Sequence, residues 1–391
     1  MMQKNYFSMG FWNYVNVGVL DETAVQDWTD LGMNLAMSFE YNHKENRPEQ
    51  MLAGLDECER RNLKVIVCDR RCYFTTLAEV GEEAYTAGFA QAVKEFGSHP
   101  AVMSFHVGDE PGEFMLPHAK RACQIHRELA PHLTPFLNFL PFWIAPNFKD
   151  TLGVDNAGYE ELLTEFVKEA GLEIVCYDCY SGATWRNRQM EISNYFFNLN
   201  LFRRVAEATG ATLWTSLLSV GHWGFRCPTE DDLRWQIATS VAHGVTGILW
   251  FFVYERSLDS SFRVPPIDLF WERTETFEWL SRQNRSFMSY YAEKFSALRL
   301  VKVYHHLLQY GGTEPFIFGK DEVIDYVTSS YDQPLIVSRF ENQETGRPTI
   351  VVVNNSQTEP TNVKVKLKAP YEYGDRGGDW LAPGQMMLIE L

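Results

Sequence analysis

The sequence predicts an α/β protein: a (β/α)8 TIM barrel followed by a small antiparallel C-terminal β domain. Three observations carry this. A short apolar strand, a polar turn and an amphipathic helix repeat eight times over roughly the first 300 residues, which is the arithmetic of such a barrel. No G-x-G-x-x-G or G-x-x-x-x-G-K-[ST] turn occurs, as an open doubly wound sheet would normally show. Beyond residue 300 the helices stop, and short strands separated by turn pairs take over. The implied division of the 391 residues is 1–299 for the barrel and 300–391 for the β domain.

The strands are read at 7–14, 33–41, 63–70, 102–110, 134–142, 172–180, 211–221 and 245–254, each an apolar run of strand length bounded by polar or turn-forming residues. Helical periodicity fills the gaps at 24–31, 48–61, 84–96, 118–129, 159–170, 192–209, 230–243 and 274–298. Pro48 sits where a first helical turn tolerates it. Pro228-Thr229-Glu230-Asp231-Asp232 reads as an N-cap followed by an acidic first turn. In the C-terminal part 335–340, 349–353, 362–367 and 386–391 read as strands, separated by Thr345-Gly346, Asn355-Ser356 and Gly377-Gly378.

Composition bounds the partners. Lys and Arg total 35 against 51 Asp and Glu, a net charge of −16, so nucleic acid and anionic membranes are excluded as partners. No apolar run approaches the roughly 18 residues of a membrane span. Seven cysteines lack the spacing of a disulfide framework or a paired zinc site, and read as reduced thiols. The opening MMQKNYFSMGFW has no continuous apolar stretch of a secretory signal, which predicts a cytoplasmic protein, or a periplasmic or secreted one if the natural gene encodes a leader. Homo-oligomerisation stays open. Aromatic residues make up 14 %, more than a core of this size needs, and point to ligand-facing rings.

In such a barrel the site lies at the C-terminal ends of the strands, whose side chains alternate between barrel interior and helix layer. On strand four Met103, Phe105 and Val107 suit the helix layer, while Ser104, His106 and Gly108 face inward. Glu110 shares the inward parity and ends the strand, where Pro111 and Gly112 begin a loop. On strand six Asp178 shares parity with Ile174 and Cys176; the alternative is a structural aspartate capping the next loop. On strand two Asn34, Ala36, Ser38 and Glu40 form the small or polar face, so Glu40 also reaches the mouth. Asp69 and Glu255 occupy similar ends beside arginines that make ion pairs an equal explanation.

Two carboxylates across a pocket are what glycosidic cleavage needs, one protonating the leaving oxygen and the other acting as nucleophile or activating water. Glu110 and Asp178 are the predicted catalytic pair. Sugars stack on aromatic rings, and Trp12, Tyr14, Trp143, Tyr180, Trp185, Trp223 and Tyr254 fall at or just past strand ends. Asn138 and His222 complete the candidate substrate ligands, and His106 is either a further one or a hydrogen-bonded core histidine. A metal hydrolase would want H-x-H on strand one, where no histidine occurs, and there is neither a G-x-S-x-G elbow nor an H-E-x-x-H helix. The expectation is therefore a carbohydrate substrate with no metal and no organic cofactor.

Gly108-Asp109-Glu110-Pro111 resembles the fourth-strand motif of clan A glycoside hydrolases, where an Asn-Glu-Pro-like sequence places the acid/base glutamate. Together with Tyr177-Asp178-Cys179-Tyr180, Ser219-Val220-Gly221-His222, Pro228-Thr229-Glu230 and Leu233-Arg234-Trp235-Gln236, it is similar to a group of bacterial barrel proteins described as family 42-like glycosidases. The resemblance spans the barrel. It implies an acid/base role for Glu110 and a sugar-hydroxyl contact for Asp109. The chain departs from the clan at strand seven, where the nucleophilic glutamate is expected but residues 213–223 hold no carboxylate. Either the second carboxylate comes from elsewhere, Asp178 first and Glu40 or Glu255 behind it, or the protein binds sugar without cleaving it.

Overall fold

The computed structural model describes residues 6–143, 152–182, 188–255, 261–373 and 377–391. Eight parallel strands, β1 (Ser8–Phe11), β2 (Leu35–Met37), β3 (Lys64–Val67), β4 (Val102–Asp109), β5 (Thr134–Phe139), β6 (Ile174–Asp178), β7 (Thr212–Leu218) and β8 (Gly247–Phe251), pair in the order β1-β8-β7-β6-β5-β4-β3-β2. Asn34 closes the ring between β2 and β1: its backbone N–H donates to the Met9 carbonyl at 3.0 Å, and its Oδ1 accepts from the Met9 N–H at 2.8 Å. Helices alternate with the strands, as their periodicity requires. The helix Glu230–Ala242 starts with a capping box in which Asp232 N–H donates to Thr229 Oγ1 and Thr229 N–H donates to Asp232 Oδ2.

Two apolar layers divide the side chains of each strand. Trp12, Leu35, Met37, Ile66, Phe136, Ile174, Cys176, Trp214 and Leu249 fill the barrel interior. Met9, Phe11, Ala36, Val65, Val67, Phe105, Leu137, Val175, Ile248 and Trp250 pack outward against the helices. On β2 this reverses the expected parity. The interior of an eight-stranded barrel is a packed core, and the larger Leu35 and Met37 fill it while Ala36 makes room for the helix layer. Met103, beside a register shift between β3 and β4, also packs against the interior rather than among the helices.

Past the barrel come β9 (Leu298–His306), β10 (Glu314–Pro315), β11 (Ile324–Ser329), β12 (Leu335–Asn342), β13 (Pro348–Asn354), β14 (Thr361–Leu367), β15 (Asp379–Leu381) and β16 (Met386–Glu390). Five of them form a sheet in the order β10-β9-β12-β13-β16 and three a sheet β11-β14-β15, antiparallel apart from the short β10 pairing. Alternation assigns their faces. Val337, Ile350 and Val352 meet the three-stranded sheet, while Ile336, Phe340, Val351 and Val353 join the core of the helix layer. Polar ties reinforce the seam: Ser338 Oγ donates to the Ala242 carbonyl at 2.7 Å, and Trp235 Nε1 donates to Asn355 Oδ1 at 2.9 Å.

Candidate active site

The site begins with a defect in β4. Ser104 and His106 pair in step with Thr134 and Phe136 of β5, but the register then slips by one, so that Gly108 lies opposite Leu137 and Asp109 opposite Asn138. Val107 is the extra residue of a β-bulge. The slip reverses the expected parity: Asp109 comes inward at the level of Asn138, and Gly108 turns toward the helix layer. Gly108 has φ +145°, and a Cβ there would fall 2.3 Å from the Phe74 ring, so only glycine fits. Glu110 follows in the left-handed region at φ +43°, with its N–H donating to the Asn138 carbonyl at 3.0 Å. That turn brings its carboxyl to the end of β6.

Glu110 donates a hydrogen bond to Asp178. Asn138 Nδ2 donates to Asp109 Oδ1 at 3.0 Å and to Asp178 Oδ1 at 2.9 Å, so one amide bridges two carboxyls. Tyr180 adds a further donor to Asp178. Three carboxyl groups therefore crowd one side of the barrel mouth, and like charges in poor solvent hold protons. Burial pushes Glu110 up to about 9, with the charges of Asp178 and Asp109 adding to it. Burial also raises Asp178, against the bonds from Asn138, Glu110 and Tyr180. Asp109 is raised by its surroundings and by Asp178, although its outer side opens to water at the mouth. Glu110, raised to about 9, is the group that keeps its proton near neutrality.

A cavity of about 260 Å³ adjoins Asp109 on the β1–β4 side, lined among others by Asn13, Tyr14, Glu40, Tyr73 and His106. Asn13 Nδ2 and His106 Nε2 are buried there without a hydrogen-bond partner. Burial depresses His106 to about 4, so the ring is neutral, and a hydrogen bond to the Gly108 backbone occupies its other nitrogen. Nε2 is then a lone-pair acceptor. Glu40 lines the cavity with its Oε1 taken by Arg70 Nε at 2.5 Å.

The other predicted residues divide. Tyr14, Tyr180 and His222 belong to a continuous aromatic wall: Tyr14 and Tyr180 both contact Phe251, and His222 lies against Phe251 and stacks on Trp223 at 4.3 Å. Trp223, 71 % exposed, and Trp143, 44 % exposed, are free to meet a ligand from solution. Trp12 lies deeper than a rim position, buried beneath the mouth with Nε1 donating to Ser216 Oγ at 2.8 Å and its ring stacked on Tyr14. Tyr254 is turned into the helix layer, where it accepts a hydrogen bond from Trp28 Nε1 at 2.6 Å. Glu255 lies beside Asp268, away from the carboxyl cluster. Trp185 falls outside the described residues. Asp69 forms a buried ion pair with Arg71 at 2.6 Å, which gives it a structural role. Sequence reasoning missed Asn13 and Tyr73; Asn13, next to an inward tryptophan at the end of β1, carried the only available signal.

The ends of β6 and β7 carry their own constraint. Backbone groups of Leu218 are bonded to the Gln236 side chain, and Ser219 Oγ donates to the Phe252 carbonyl at 3.0 Å, so no carboxylate of β7 faces the cluster. All seven cysteines are unpaired. Among the described residues, Asp56, Glu59 and His99 could hold a metal ion, but they lie at the N-terminal ends of the strands, on the face opposite the cluster. No described helix is long and apolar enough to cross a membrane.

Fold and site together define a (β/α)8 barrel with a cluster of three carboxyl groups at the C-terminal end of its strands. No protein-family model matches the sequence, and no curated protein does. Among solved structures, the β-galactosidase of the psychrophilic Marinomonas ef1 is similar at a TM-score of 0.54 and 10 % identity, over 74 % of this chain and 62 % of that one. A catalytic mutant of a GH42 β-galactosidase from G. stearothermophilus gives 0.55 and 13 %, over 75 % and 57 %. The endo-β-1,4-mannanase of Thermotoga petrophila gives 0.50 and 10 %, over 93 % and 97 %. The chain thus spans about 60 % of the length of the two galactosidases.

Proposed function

We propose that the protein is a glycoside hydrolase in which Glu110 protonates the leaving oxygen. The observation that carries this reading is the Glu110 carboxyl, held protonated beside Asp178 and Asp109 at the end of β4. Aromatic rings around the mouth fit the apolar faces of a sugar, and barrels of similar fold include β-galactosidases and a mannanase. In this reading Asp178 tunes the acid by charge and hydrogen bond, and Asn138 fixes both aspartates. Turnover of an aryl-glycoside panel by wild type, lost by about 10²–10⁴-fold in Glu110→Gln, is the expected result. Equal turnover by the variant would remove Glu110 from the chemistry. The lack of a carboxylate on β7 favours one second reading, a barrel that binds carbohydrate without cleaving it; binding of sugars with no turnover of any of them would establish that instead.

A further inference from the structure

The carboxyl cluster is one-sided, and glycosidic cleavage with a protein nucleophile is not. A retaining pair stands about 5–5.5 Å apart and an inverting pair about 6.5–9.5 Å, with the reacting carbon or a water between them. Glu110 and Asp178 are in direct hydrogen-bond contact, which leaves no such gap. The strand that could face them, β7, presents Leu218 and Ser219, both engaged with the protein. Glu40 does line the cavity, but Arg70 occupies its carboxylate. The described site thus supplies an acid and two neighbouring carboxyls, and no free nucleophile opposite them.

We propose, resting on the glycosidase reading, that the substrate is a 2-acetamido-2-deoxyhexoside whose own acetamido carbonyl oxygen is the nucleophile. Such substrate-assisted hydrolysis needs one acid at the leaving oxygen and one carboxylate at the acetamido N–H. Glu110 and Asp109 are adjacent in the chain at the barrel mouth, and Asp109 lines the cavity. The cavity beside Asp109 holds a buried unpartnered donor, Asn13 Nδ2, and a buried unpartnered acceptor, His106 Nε2, among Tyr14, Tyr73 and Phe74. An acetamido group and its neighbouring hydroxyl supply the acceptor, the donor and the methyl that such a lining takes.

The step balances. The acetamido carbonyl oxygen bonds to C1 as the bond from C1 to the leaving oxygen breaks, and the Glu110 proton passes to that oxygen. The resulting oxazolinium keeps its N–H on Asp109, and Asp178 adds to the negative field around the cation. Water then adds to C1, giving its proton to the Glu110 carboxylate, and the amide re-forms with the anomeric configuration retained.

The test uses paired aryl glycosides that differ only at C2, with hydroxyl, acetamido or trifluoroacetamido groups. The expected result is turnover of the acetamido series, loss of turnover as fluorine weakens the carbonyl, no turnover of the hydroxyl series, and competitive inhibition by a sugar-fused thiazoline. Turnover of the hydroxyl series at comparable rates overturns substrate assistance and leaves the glycosidase reading intact. Equal rates with acetamido and trifluoroacetamido groups overturn it as well. Turnover of none of the three overturns both.

Discussion

Glu110→Gln isolates the energetic cost of the acid site without any need for a substrate. The amide copies the shape of a protonated carboxyl and cannot ionise. In the wild type, Glu110 moves from 4.5 to about 9 on folding. Between those values the folded chain holds a proton that the unfolded chain has released, so unfolding free energy falls as pH rises. The contribution is fully present below pH 4.5 and lost as pH passes 9. At about 1.36 kcal/mol per pKa unit the ceiling is about 6 kcal/mol. Glu110 is only half-buried and Asp109 opens to water, so screening brings this to about 2–3 kcal/mol. For a chain of this length that is about 3 °C in Tm. Thermal unfolding of wild type and Glu110→Gln from pH 5 to pH 9 is the assay. The wild type should lose more stability across that range than the variant, with the two converging at the acid end. Parallel pH profiles would refute the claim that Glu110 is held protonated by its neighbours.

Asp178→Asn removes one of the charges that raise Glu110, and the alkaline limb of the pH–rate profile should move toward lower pH. Asn138→Asp replaces the shared donor with a fourth carboxyl, so denaturant titrations should show a loss of about 2–4 kcal/mol that is larger at pH 8 than at pH 5. Gly108→Ala places a methyl 2.3 Å from Phe74 at φ +145° and should cost about 2–4 kcal/mol by the same titration, partly recovered when Phe74 is also shortened to Leu. Trp12→Phe loses interior volume and the bond to Ser216 Oγ, and should lower stability by about 1–3 kcal/mol.

The barrel was legible because eight strand–helix units leave a periodic trace that tertiary packing reinforces. Local details were legible only where periodicity ran unbroken. On β6, Ile174, Cys176 and Asp178 share a face as parity predicts. On β4 the inserted Val107 shifts the phase, and alternation counted through it exchanges the roles of Gly108 and Asp109. On β2, polarity pointed to the wrong face, because a barrel interior selects for volume and Leu35 and Met37 supply it. Tyr254 lay at a strand end but turned outward to Trp28, a choice set by a partner 226 residues away. The strand Leu298–His306 went unread because its residues directly continue the helical stretch before it, and only pairing with β12 decides its conformation. The direct contact between Glu110 and Asp178 could not be inferred at all, since it depends on the left-handed turn at Glu110.

That turn and the bulge before it raise an energetic question. The positive φ of Glu110 costs about 1–3 kcal/mol, and three carboxyls in mutual reach add to the cost. The surrounding core is large enough to offset this, but packing alone gives no reason to place a carboxyl in each of these positions. An asparagine at 109 or 178 would relieve the repulsion while still accepting a bond from Asn138. What the unfavourable arrangement produces is a carboxyl that keeps its proton in neutral solution while another carboxyl, one residue away, faces an open cavity. An acid of ordinary pKa would have lost its proton under those conditions. The bulge at Val107 and the strained turn at Glu110 are therefore the means by which one strand end presents both groups to the same ligand.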